Sequence, residues 1–256
     1  MRKHHFHLRF IALLLLCLVL AACTSGGGSP QASNTPTPTA TPPITPTPTT
    51  PTVTGQEVRF TTADHIKLAG MLYSKSGTTA IICSHELNST KAIWQGIVPW
   101  FAARGFMVLA YDFRGNGESE GQRDNAQYSQ DLLAAITFVK SQGAKKVILL
   151  GASMGGSVSL DAASQTKVAG VITLSAPLIG WIEEKKIPAI TAPKLFINSQ
   201  EDTYAQETQH MFDIAQQPKE IHIYPGSAHG TAIFGTENSR DLIDRIIAFT
   251  TKNAPQ

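Results

Sequence analysis

Ser153 stands in the run GASMGG, Gly151 to Gly156, directly after the apolar stretch KKVILL. A glycine-rich turn behind a strand can cradle a phosphate, simply reverse the chain, or present a serine for attack on a carbonyl carbon. The phosphate readings fail on residue types. A Walker loop needs G-x-x-x-x-G-K-[ST], and the dinucleotide fingerprint G-x-G-x-x-G is broken by the serine at 153. GASMG fits G-x-S-x-G, in which a strand turning at once into a helix forces the serine into a strained geometry. Glycines at 151 and 155 remove the side chains that would collide there. The same turn aims the helix N-terminus and the Met154 backbone N–H at the place where an oxyanion would develop.

A serine hydroxyl is a weak nucleophile until a base takes its proton, and the base needs an acid to fix its tautomer. Asp202, in FINSQEDTY, and His229, in IYPGSAHG, each follow an apolar strand-like run. Glu201 is the alternative acid. His210 falls in a helical pattern, His222 within the strand KEIHIY and His65 in a hairpin turn, while His4, His5 and His7 lie in the leader. No H-x-x-x-H or C-x-x-C spacing occurs, so the sequence implies no metal, and no cofactor motif is present.

These residues need a scaffold that brings strand ends together. EVRFTTADHIKLAGMLY reads as an antiparallel hairpin around Ala63-Asp64. TAIICSH, FMVLAYD, KKVILLG, VAGVITLS, APKLFINS and KEIHIYPG are short apolar runs of the kind covered on both faces. Between them AIWQGIVPWFAARG, AQYSQDLLAAITFVKSQG, MGGSVSLDAASQT, QETQHMFDIAQQ and SRDLIDRIIAFTTK have helical patterns. The expected fold is α/β, a mostly parallel doubly wound sheet with an N-terminal antiparallel hairpin. In such sheets ligands bind at the carboxyl ends of the strands.

Ser, Asp, His in that order on this scaffold resembles the α/β-hydrolase family, over about Glu57 to Thr251. DFRGNGES, Asp112 to Ser119, is similar to the family's D-x-R-G-x-G-x-S turn, SQEDTY to its acid loop and GSAHG to its histidine loop. The resemblance implies a serine hydrolase with Ser153, Asp202 and His229 as catalytic triad. It also implies a second oxyanion donor after the third strand, where relatives carry His-Gly-X. Here the residues are His85-Glu86-Leu87, so the Leu87 N–H takes that place and Glu86 departs from the pattern. The segment is similar to the Gln-Glu-hydrophobic turn of dienelactone hydrolases, which makes Glu86 a candidate site-adjacent or catalytic residue. His85 reads as turn-stabilising. In DFRGNGES, Asp112 and Arg114 are expected to bond the loop backbone and each other, with positive φ at Gly115 and Gly117.

Only LIGWIEEKKIPAIT separates the sixth strand, VAGVITLS, counting the two of the hairpin, from the acid-bearing strand, too little for a cap domain. A minimal cap leaves the site open to a small substrate, with Trp181, Leu178 and Ile179 as candidates for an apolar wall. The activity expected is hydrolysis of carboxylic esters. A peptidase or a lactonase using the same triad, and a non-catalytic surface binding protein, are the alternatives.

The N-terminus addresses the protein. Arg2, Lys3 and Arg9 precede FIALLLLCLVL, then Ala21, Ala22 and Cys23, the order of a secretory signal over 1–22. LAAC resembles the lipobox of bacterial lipoproteins, which implies a lipidated Cys23 and anchoring at the extracytoplasmic face of the bacterial membrane. Residues 23–55 carry Thr-Pro repeats and no charge, an extended tether in front of a catalytic domain at 56–252. Without the three signal-segment bases, 18 basic residues face 19 acidic ones, a net charge of about −1 that gives no argument for nucleic acid. Cys17 and Cys23 leave Cys83 as the one thiol of the folded part, expected to be a buried small apolar residue.

Overall fold

The computed structural model describes residues 51–74 and 77–256. The expected signal segment, Cys23 and the tether up to residue 50 lie outside the described residues. The chain has the α/β-hydrolase fold. Strands β1 (Gly55–Thr61), β2 (Lys67–Tyr73), β3 (Thr79–Ser84), β4 (Met107–Tyr111), β5 (Lys146–Ala152), β6 (Gly170–Leu174), β7 (Lys194–Ser199) and β8 (Lys219–Tyr224) form one sheet ordered β1-β2-β4-β3-β5-β6-β7-β8. β1 and β2 are an antiparallel hairpin and β2 is antiparallel to β4, while the rest pair parallel.

Alternation within each strand sends side chains to two cores. Ala80 and Ile82 of β3, with Val147 and Leu149 of β5, face helices α2 (Tyr128–Ser141) and α3 (Met154–Gln165). Ile81 and Cys83, with Ile148 and Leu150, face helices α1 (Val98–Ala102) and α5 (Ser239–Asn253) on the opposite side. All eight are essentially inaccessible to solvent. Burying each of the larger aliphatic side chains contributes roughly 1.5–3 kcal/mol, which fixes the register of the strands that carry the site. Cys83 is free and buried, and burial pushes its thiol pKa far up, so it packs as a small hydrophobe.

One helix differs from expectation. AIWQGIVPWFAARG is broken into a 3₁₀ turn at Lys91–Trp94 and the short α1. Pro99 sits in the first turn of α1, where its missing N–H costs nothing; a helix running through from residue 91 would set its ring against the Gln95 carbonyl. Between β6 and β7 the chain holds one 3₁₀ turn, Glu184–Lys186, consistent with a minimal cap. The remaining helix, α4 (Ala205–Ile214), follows β7.

Candidate active site

β5 ends at Ala152 and α3 begins at Met154, so the whole reversal is made at Ser153, with φ 49° and ψ −123°. A non-glycine residue there stores about 1–3 kcal/mol of backbone strain and persists only where its surroundings over-determine it. Here they do: the Ser153 N–H donates to Leu174 O at 2.7 Å, and Ser153 O accepts from Gly156 N at 2.8 Å. A Cβ on Gly151 would run into Gly155 O, and one on Gly155 into the Ser84 and His85 carbonyls of the β3 turn. A Cβ on Gly156 would stand 2.8 Å from Ala176 Cβ, so this third glycine lets α3 lie on the sheet. Ser153 Oγ makes no hydrogen bond among the described residues.

At the ends of the next strands, His229 Nδ1 lies 2.7 Å from Asp202 Oδ2, with the Asp202 side chain 2% exposed and His229 35% exposed. A carboxylate can only accept, so Nδ1 carries the proton and Nε2 keeps its lone pair for use as a base. The other oxygen, Asp202 Oδ1, accepts from Tyr204 N at 2.8 Å and Asn198 Nδ2 at 3.3 Å. The carboxylate is therefore held on one edge and presents the other to histidine. Gly230 packs the histidine loop beside the elbow: a Cβ on it would stand 3.6 Å from Ala152 Cβ.

The support beneath this pair is a buried polar network that motif reading did not find. Gly230 N–H donates to Ser175 Oγ at 2.9 Å, and Ser175 Oγ–H to Asn198 Oδ1 at 2.6 Å. Asn198 Nδ2 donates to Thr208 Oγ1 at 2.9 Å as well as to Asp202. Ser199 Oγ–H reaches Ala228 O at 2.6 Å. Ser175, Asn198, Ser199 and Thr208 are all buried, and in a dry interior each bond must be kept.

Glu86 reaches the same loop from the other side. Its Oε1 accepts from Thr231 N at 2.6 Å and Thr231 Oγ1 at 2.9 Å, so the structure joins it to the residue two after His229. His85 is buried, accepts from Phe113 N on Nε2 at 3.2 Å and therefore donates Nδ1–H to Glu86 O at 2.7 Å. Both nitrogens are occupied, and burial lowers its pKa, so it is a neutral strut between the turns after β3 and β4. Leu87 is 46% exposed and its N–H has no acceptor among the described residues. The Met154 N–H, at the first position of α3, has no helical acceptor either. With Gly155 set against the β3 turn, these two donors belong to adjoining segments.

The DFRGNGES turn departs from expectation in one pairing. Gly115 and Gly117 do take positive φ, and Asp112 accepts from the N–H groups of Lys91 and Glu118. Arg114 turns away from Asp112, however, and forks onto Asp64 at 2.7 and 3.0 Å while its Nε meets Asp131 at 2.8 Å. Hydrogen bonding to Arg114 holds Asp64 well below the usual carboxylate range.

Trp181 is half-buried. With Asn125, Asp161 and Lys186 it lines a hollow of about 380 Å³ that none of Ser153, Asp202 or His229 borders. Leu178 is buried and Ile179 exposed, their N–H groups both donating to Glu207 of α4. Glu201 is exposed and His229 engages its neighbour Asp202; His210 faces Glu184 and His222 meets Tyr224 edge to face, so neither bonds to the site residues. Among the described residues no group of three His, Cys, Asp or Glu could hold a metal ion.

Residues 76–188 match the family model Hydrolase_4, described as serine aminopeptidase, S33. The match includes Ser153 and stops before Asp202. The chain is 32% identical over 152 residues to the thiohydrolase aneE of Aspergillus aculeatus, covering 54% of this chain and 47% of that protein. It is 36% identical over 137 residues to the polyketide transferase grgF of a Penicillium species, covering 50% and 47%. It thus spans about half the length of these curated relatives. An esterase of Pyrococcus furiosus superposes with a TM-score of 0.72 at 19% identity, over 78% of this chain and 91% of that one. The solved structure of GrgF, an α/β hydrolase, superposes at 0.71 with 22% identity over 78% and 98%.

Proposed function

We propose that this chain is a serine hydrolase that cleaves carboxylic esters through an acyl-enzyme. The observation that carries the reading is the coincidence of a strained Ser153 at a strand–helix junction with a buried Asp202 fixing the tautomer of His229. His229 Nε2 takes the Ser153 hydroxyl proton as Oγ attacks the acyl carbon. The Met154 and Leu87 N–H groups stabilise the oxyanion, and His229 returns the proton to the leaving alcohol. A water, deprotonated by His229, then frees the acid and restores Ser153. A positioned base and acid contribute about 10²–10⁴-fold, and each oxyanion donor about 10²-fold or more.

The esterase neighbour and the acyl chemistry in the relatives' names support the reading by analogy of fold and sequence. The description of the matching family model favours a second reading, amide cleavage at a peptide N-terminus. A panel of p-nitrophenyl esters of increasing chain length, run beside aminoacyl p-nitroanilides, separates the two. The ester reading predicts fastest turnover on short acyl chains, abolished in Ser153→Ala. Anilide turnover exceeding that of every ester would replace it with the peptidase reading.

We further propose that Cys23 is lipidated and that the domain works at the outer face of the membrane. Metabolic labelling with an alkyne fatty acid should tag the native chain and leave Cys23→Ser untagged; an untagged native chain would contradict the anchor.

A further inference from the structure

The two ends of the sheet differ in charge. Lys140 at the end of α2, Lys145 and Lys146 at the start of β5, and Lys167 before β6 surround a hollow of about 280 Å³ floored by Val147, Val168 and Ala169. No carboxylate pairs with any of the four among the described residues; Lys146 donates only to Pro255 O. A single lysine in the last turn of α2 is explained by the helix dipole, but four around one hollow are not. Arg104, Lys219 and Lys252 lie at the same end, with Asp213 and Glu220 as its acids, Glu220 already paired with Lys252. The opposite end carries exposed Glu118, Glu120, Asp124, Glu183, Glu184 and Glu201 on the loops that follow the strands, Glu118 paired with Lys91 and Glu183 with Lys185, so that exposed Arg123 and Lys185 are outnumbered there by carboxylates. Since the charge of the chain beyond residue 22 is about −1, the basic end is a segregation of charge and not a basic protein.

Strand register shows where the chain enters. Gly55 pairs with Tyr73, and Tyr73 with Val108, beside the first residue of β4; Lys146 pairs with Thr79, one residue before the partner of Met107. Gly55 and the lysines therefore lie at the same end of the sheet, about 19 Å apart across four strand spacings. Ser153, Asp202 and His229 follow the other ends of their strands.

We infer that this lysine-bearing end docks on anionic phospholipid headgroups, with the active site turned to the aqueous side. Ammonium groups around a shallow apolar floor suit phosphate headgroups, attraction that is short-ranged and screened by salt. The inference rests on the anchored reading for what brings the domain to the bilayer. It deepens the proposed function: the substrate is water-soluble and arrives from the aqueous phase, and the site does not draw on the bilayer.

The test is lysine footprinting. Full-length protein is mixed with phosphatidylcholine vesicles, or with vesicles one-third phosphatidylglycerol, and treated with a water-soluble acylating reagent read by mass spectrometry. Labelling of Lys140, Lys145 and Lys167 should fall at least about five-fold on the anionic vesicles and recover in high salt. Lys185, at the acidic end, should label equally on both. The combined substitution Lys140→Glu, Lys145→Glu and Lys167→Glu should erase the difference between vesicle types at Lys146 and leave hydrolysis of a soluble ester unchanged. Equal labelling on both vesicle types, protection of Lys185 instead, or an unaltered difference in the triple variant would each overturn the inference. A wrong anchor reading shows separately, as failure to float with neutral vesicles, while labelling on anionic vesicles still decides the docking face.

Discussion

On the β5–α3 side of the site, Ser153 is held by backbone against backbone: its φ of 49° survives because Gly151 and Gly155 let α3 and the β3 turn approach too closely for any side chain. On the β7–β8 side, Asp202 and His229 are held by side chains, through Asn198, Ser175, Glu86 and Thr231. Steric confinement fails abruptly, because one added methyl meets a carbonyl that cannot move. A hydrogen-bonded network fails by degrees, since losing one member leaves others in place. The two sides should therefore answer mutation differently.

Asp202→Asn should show the largest effect on turnover. The amide can donate to His229, which favours the wrong tautomer, and kcat should fall by about 10⁴-fold with the fold intact, measured on a p-nitrophenyl ester alongside thermal unfolding. Gly155→Ala tests the steric side. Its methyl would enter the Ser84 carbonyl, so stability should drop by about 3 kcal/mol and kcat/KM by about 10²-fold, in denaturant titration and steady-state kinetics. A methyl accepted at 155 without loss on either measure would break the contrast.

Asn198→Ala should do less, about ten-fold in kcat, while leaving Ser175, Ser199 N and Thr208 short of a partner at a cost of about 1–3 kcal/mol. His85 sharpens the picture through pH. Its folded pKa is depressed by burial, so its contribution is full above the unfolded value and is lost as pH falls through it toward the folded value. The slope should not exceed about 1.4 kcal/mol per pH unit below about pH 6.5. In His85→Gln, whose amide oxygen can still accept from Phe113 N, that part of the slope should vanish from urea unfolding between pH 5 and 7. Glu86→Gln should change least, because a side-chain carbonyl can still serve Thr231. A kcat within about two-fold and an unmoved pH profile are expected, and a shifted profile would return Glu86 to a catalytic role.

What could be read before the fold was known follows the same division. GASMG, Asp202 and His229 are legible because each motif is local and each sits where an apolar run stops. Asn198 lies inside such a run, in KLFINS, and Ser175 lies 23 residues away on another strand end, so only the β6-β7-β8 order brings them together. Glu86 and Thr231 are 145 residues apart, and nothing local predicts that one caps the other. Arg114 was expected to meet Asp112 next door and instead crosses to Asp64, 50 residues away in the β1–β2 turn. The stretch from 91 to 104 has an apolar pattern that suits a helix, and its break falls at Gly96, just ahead of the Pro99 ring.

The central claim is that Ser153 is an activated nucleophile. Incubation of the native protein and Ser153→Ala with a fluorophosphonate probe, followed by mass spectrometry of the labelled peptide, tests it directly. One adduct on Ser153 of the native protein and none on the variant is the predicted result. An unlabelled native protein, or equal labelling of both, would contradict it.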